Sequence, residues 1–163
     1  MAITRTILPI PTNGWRAGGN ERPDIREFHE ASSQSFVYGD LVYLSSNKVT
    51  VCGADPAAIL GIALKAATGT ADSIIPVWVI HGSDEFLMNV YHATAASATF
   101  SDQSAIDTAY EINKYAAGKW TIDIAATSST RVTVINYEAD SELGNLYMRC
   151  WVRFLVANLT FPY

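Results

Sequence analysis

Cysteine is scarce: Cys52 and Cys150 are the only two in 163 residues. They stand far apart and form no CxxC pair, which makes neither a zinc site nor a disulfide framework. Both lie in apolar runs, so buried free thiols are expected in preference to a bridge, as suits a reducing cytoplasm. Charge is also sparse and leans acidic, at 17% of residues with net charge −5. Phosphate binding needs clustered cations, so nucleic acid is not expected as a partner. No apolar run approaches the length needed to span a bilayer; the longest, around residues 57–64, falls far short. Met1-Ala2-Ile3-Thr4-Arg5 holds no apolar signal core. A soluble protein with no membrane partner, not exported, is expected.

The residues of catalysis are equally thin. The three histidines, His29, His81 and His92, are scattered. His81 stands near Asp84 and Glu85, but Gly82-Ser83 reads as a turn and the group as a solvated loop. Glu138, Asp140 and Glu142 alternate like calcium ligands, yet lack the glycine and closing glutamate of an EF-hand. No serine sits in a GxSxG context. Arg16-Ala17-Gly18-Gly19-Asn20 is glycine-rich without a preceding strand or a GxGxxG pattern, so it is no phosphate cradle. Neither an enzyme nor a bound metal or other cofactor is expected.

What the chain does have is apolar substance, 49% of residues, enough for one domain with a core of its own. Residues 1–35 differ from the rest. Pro9, Pro11, Gly14, Gly18-Gly19 and Pro23 oppose a long helix or a central strand, while Ile7, Leu8, Ile10 and Trp15 are too apolar for a free linker. This reads as an extended N-terminal arm whose anchors dock on another surface. Arg5 and Arg16 make the arm locally cationic. Within it, residues 24–31 suggest a short helix docked through Ile25 and Phe28. Deleting residues 1–20 is expected to leave a folded domain.

From Phe36 onward the period is two. Phe86, Met88 and Val90 alternate with Glu85, Leu87, Asn89 and Tyr91; Trp120, Ile122 and Ile124 alternate with Thr121 and Asp123; Val132 and Val134 alternate with Thr133 and Ile135. Turn residues at Ser45-Ser46-Asn47, Gly82-Ser83-Asp84, Ala117-Gly118 and Ser128-Ser129 separate these runs, the pattern of half-buried antiparallel strands. Ser101-Asp102-Gln103-Ser104-Ala105 reads as a capped helical turn. Pro76 belongs at a strand start or on an edge. The expected fold is all-β: a small antiparallel barrel or sandwich of roughly eight short strands, spanning residues 36–163, with the arm before it.

The last strand has two unlike faces. Met148, Cys150, Val152, Phe154 and Val156 make an apolar face assigned to the core. Tyr147, Arg149, Trp151, Arg153 and Leu155 make the other, where cations alternate with large aromatics. Such a face serves equally as a solvated outer surface, its stems covering apolar neighbours, or as a subunit interface.

Three stretches carry a family resemblance: Gly39-Asp40-Leu41-Val42, then Val49-Thr50-Val51, then Ile59-Leu60-Gly61-Ile62-Ala63. With Ile75-Pro76-Val77-Trp78-Val79-Ile80, Asp84-Glu85-Phe86-Leu87-Met88, residues 110–123 with Gly118-Lys119-Trp120, and residues 131–137, this order resembles the decoration, or cement, proteins of tailed double-stranded-DNA bacteriophage capsids. The resemblance covers roughly residues 36–158 and leaves the arm outside it. It implies a homotrimer bound to the major capsid protein at three-fold and quasi-three-fold points of an icosahedral shell. It thereby places the protein on the outer capsid surface of the virion, after assembly in the host cytoplasm. Arg5, Ile7, Leu8, Ile10, Trp15 and Arg16 are then the expected capsid contacts, and Tyr147, Arg149, Trp151 and Arg153 the expected subunit interface. The alternative is a receptor- or carbohydrate-binding β-sandwich of a phage tail or fibre, with Trp78, Tyr91, Tyr115 and Trp120 as an exposed aromatic groove.

Overall fold

The computed structural model describes residues 5–16, 22–94, 97–126, 128–138 and 143–161. Its strands are β1 (Trp15–Arg16), β2 (Ile25–His29), β3 (Leu41–Ser45), β4 (Lys48–Val51), β5 (Gly61–Ala63), β6 (Ile74–Val79), β7 (Glu85–Tyr91), β8 (Ala109–Ala116), β9 (Lys119–Asp123), β10 (Val132–Tyr137) and β11 (Arg149–Phe154). They form two sheets, one ordered β1-β7-β11-β10-β8-β9 and one ordered β2-β6-β5-β3-β4. The fold is an all-β sandwich rather than one closed barrel. Within the larger sheet β9 also runs parallel to β7, so the sheet curls back on itself.

Local chemistry explains several elements. Ser46 and Asn47 both take positive φ, at 50° and 61°, the geometry of a two-residue turn whose twist suits the β3–β4 hairpin. Asp102 caps a 3-10 turn at Gln103–Ala105 by accepting from the Ser104 N–H, as the capped-turn reading expects. Gly61 lets β5 lie against β6, since a Cβ there would strike the Trp78 carbonyl. Alternation places Val132, Val134, Val152 and Phe154 inside, while Thr133 and Arg153 lie outside the buried set. Two apolar clusters result. One, around Phe36, Val42, Val49, Leu60, Ile75, Val77 and Val79, fills the smaller sheet's inner side. The other, larger one holds Leu41, Ile62 and Trp78 against Phe86, Met88, Trp120, Ile122 and Cys150, and joins the sheets. Both thiols are buried and unbridged, as expected. Burial pushes that of Cys52 up to about 12, so it stays protonated at neutral pH.

Four expectations need correction. The boundary at residues 35 and 36 does not divide an arm from a domain: β1 pairs with β7, β2 pairs with β6 along its whole length, and Ile10 is fully buried in the larger cluster. The helix expected at 24–31 is instead strand β2. Ile25 and Phe28 share a face on a helix but lie on opposite faces of a strand, and Ile25 is 55% exposed while Phe28 packs on the smaller cluster. Pro76 lies in β6, an interior strand. Its carbonyl accepts from Leu64 N–H just past the end of β5, so the donor it lacks falls where the neighbouring strand has stopped. Val156, assigned to the core, is 51% exposed in a 3-10 turn after β11 has ended.

No helix among the described residues is long and apolar enough to cross a membrane.

Candidate interaction surface

Residues 5–16 run alongside β7, and Asn89 fastens their first part there. Asn89 sits in the middle of β7 and is fully buried. Its Nδ2 donates to the Thr6 carbonyl at 3.3 Å and the Tyr147 carbonyl at 2.8 Å, and its Oδ1 accepts from the Leu8 N–H at 3.4 Å. A polar residue between Leu87 and Tyr91 in an otherwise apolar strand was the sequence signal for this clasp. Buried amides persist where both ends of the group are satisfied. Further along, Gly14 passes over Leu87 and Trp151. Trp15 then meets Trp78 edge-on at 5.1 Å.

The two sets of candidate residues, from opposite ends of the chain, therefore come together. The Arg16 guanidinium stacks on the Trp151 ring at 3.8 Å, a cation–π contact. Arg149 Nε donates to Glu138 Oε2 at 2.7 Å, and Arg5 approaches the same carboxylate at 3.8 Å. Arg153 pairs with Glu85 at 2.6 Å. The cations of the last strand thus pair with acids from β7 and the end of β10, and its tryptophan stacks with an arm residue. Tyr147, at φ 54°, packs on Tyr115, which in turn contacts Tyr91. Ile7 and Ile10 are buried inside their own domain, which withdraws them as contacts for another surface. Leu8 and Trp15 are half-buried, and Arg16 and Arg153 are exposed.

Elsewhere, His81 and its acidic neighbours are committed to structure. His81 Nε2 lies 2.8 Å from Asp24 Oδ2, and the His81 N–H donates to Asp84 Oδ2 at 3.0 Å. Among the described residues no three His, Cys, Asp or Glu side chains gather as a metal site; positions 140 and 142 of the acidic run lie outside the described residues. Trp78 and Trp120, expected in an exposed aromatic groove, are buried at 6% and 0% exposure, because both fill the seam between the sheets. An apolar cavity of about 280 Å³ is lined by Tyr43, Cys52, Gly53, Pro56, Ala57 and Ala58. The Cys52 thiol that lines it is held protonated, as described above.

Glu30 is the clearest pH-sensitive group. It is fully buried. Burial alone would raise its pKa, but the Thr68 and Gly69 N–H groups and the Thr68 hydroxyl, at 2.7–3.0 Å, together with the Lys65 charge, bring it below the ordinary glutamate value. A depressed folded-state pKa stabilises the protein above the unfolded value of about 4.3, and that stabilisation fades as pH falls through the folded value. Urea unfolding should therefore show stability dropping as the pH is lowered below about 5. Glu30→Gln should be less stable at pH 7 and flatter across that acid range. A variant with the wild-type acid slope would remove Glu30 from the explanation.

The sequence matches no protein-family model, and no curated protein matches it.

Proposed function

We propose that the protein is a capsid decoration protein of a tailed bacteriophage, a homotrimer that binds the outside of an assembled shell and holds it against internal pressure. The observation that carries this reading is the place of the resembling residues. Gly39-Asp40-Leu41-Val42, Val49-Thr50-Val51 and Gly61-Ile62-Ala63 fall on three neighbouring strands, β4-β3-β5, of one sheet. The glycine–aspartate pair stands at the entry to β3. A protein that binds only the assembled shell stabilises it by mass action, by about 2.7 kcal/mol per site at a hundred times Kd. Three equivalent contacts per trimer add avidity without one tight site. The partly exposed Arg16–Trp151 stack, flanked by Arg149 and Arg153, is the surface proposed for subunit or shell contact; Arg and Trp are enriched in such contacts.

The carbohydrate-binding alternative is less well supported, since two of its four aromatics lie in the core. Shells of the parent phage lacking this protein, mixed with the purified chain, should bind it saturably in co-sedimentation and withstand a higher temperature before releasing DNA. Trp151→Ala should weaken that binding or the trimer. Binding to a glycan array with no binding to shells would favour the alternative, and a Trp151→Ala variant normal in both assembly and shell binding would remove this face from the reading.

A further inference from the structure

We infer that the open edge of β2 is a strand-addition site for an extended segment of a different protein, one carrying an apolar residue two positions away from a lysine or arginine. In the β2–β6 ladder, Val79 N–H donates to the Asp24 carbonyl and Glu30 N–H to the Ser73 carbonyl. Hydrogen-bonded pairs alternate along an antiparallel ladder. The even-numbered residues therefore bond to β6, and Ile25 and Glu27 turn their N–H and C=O groups outward.

Other edges of the fold are closed or short. In the larger sheet β9 pairs with β7, and β1 has only two residues. In the smaller sheet β4 reaches the chain just past β2 at one isolated bridge, Glu30 to Val49, and forms no ladder with β2 among the described residues. Natural edge strands are usually blunted by proline, lysine or a bulge. β2 has no proline, lysine or bulge over five residues; its charges are Arg26, taken up by Asp24, and Glu27, and four of the five residues are exposed. An extended backbone is the natural complement of an unpaired ladder, since it offers donors and acceptors at the same spacing.

The side chains narrow the occupant. Ile25, 55% exposed, favours an apolar neighbour across the open edge. Glu27 is exposed and makes no ion pair among the described residues, whereas Arg26 is already held by Asp24 at 2.8 Å. A cation opposite Glu27 therefore gains a free partner. A second copy of this chain is a poor occupant. Two β2 edges related by a two-fold axis in full overlap set Glu27 against Glu27, and like charges directly opposite are unfavourable. The inference does not depend on the capsid reading.

The test is an NMR titration of the full-length, nitrogen-15-labelled chain with two hexapeptides, Thr-Val-Thr-Lys-Thr-Val and its counterpart with glutamate in place of lysine. Saturable amide shifts centred on Ile25 and Glu27 are expected with the first peptide only. Glu27→Pro removes a donor that faces the open edge and no bond to β6, so it should fold and lose the shifts. Glu27→Lys should keep the edge and transfer the preference to the acidic peptide. Shifts spread away from β2, equal response to both peptides in the wild type, or self-association of the wild type that Glu27→Pro abolishes would each overturn the proposal.

Discussion

Asp40→Ala is expected to destabilise the protein by about 4 kcal/mol, a loss of about 10 °C in melting temperature for a chain of this size. Asp40 is 1% exposed and joins four donors from two parts of the chain. Its Oδ1 accepts from Gly118 N–H at 3.0 Å, from Trp120 Nε1 at 3.4 Å and from the Lys114 ammonium at 2.8 Å, and its Oδ2 accepts from Val37 N–H at 3.0 Å. The carboxylate thereby ties the entry of β3 in one sheet to the β8–β9 hairpin in the other. The backbones meet there too: a Cβ on Gly118, which sits at φ 69°, would strike the Tyr38 carbonyl. Alanine leaves Lys114 without its counter-charge and at least two buried N–H groups unpaired, each at about 1–3 kcal/mol. Asp40→Asn keeps the shape and should lose less. In a double-mutant cycle, Lys114→Met should recover part of the Asp40→Ala loss, since it removes the stranded charge. A loss below about 1 kcal/mol in Asp40→Ala would show that the hairpin is held by packing alone.

Deleting residues 1–16 should leave a chain that is largely unfolded or aggregates, the reverse of what the sequence alone suggests. Ile7 is 5% exposed and Ile10 fully buried, and burying each contributes about 1.5–3 kcal/mol. Trp15 adds its contact with Trp78. Removing Thr6 and Leu8 also leaves Asn89 without two of its partners inside the sheet. The sum, about 6 kcal/mol, is comparable to the whole stability of an ordinary domain. Ile10→Ala alone should lose about 2–5 kcal/mol in urea unfolding. A truncated chain that melts cooperatively near the full-length temperature would make residues 5–16 a passive covering.

The contrast between these two regions shows what was legible in the chain. The all-β class, the Ser46-Asn47 turn, the Asp102 cap and the buried valines of β10 follow from interactions within a few residues, and all could be read. Strand β2 could not, because its partner β6 lies about fifty residues on. Isolated from that partner, the Ile25–Phe28 spacing suits a helix as well as a strand. The same holds for Trp15, paired with Phe86, and for Pro76, whose missing donor is harmless only because β5 stops beside it. For the candidate surface, the outer face of β11 was legible as alternating arginines and aromatics. Its pairing with Arg16, Glu138 and Glu85 was not, since nothing local to β11 specifies which residues will cover it. Asn89 was visible as a polar residue in an apolar run, but the identity of its partners depends on the path of residues 5–8.

The most direct measurement of the proposed role is a cryo-EM map of parent-phage shells saturated with the purified chain. It is expected to show small two-sheet domains in groups of three on the outer surface at three-fold and quasi-three-fold positions. A bare outer surface there, or density for this chain only on the tail, would contradict that role.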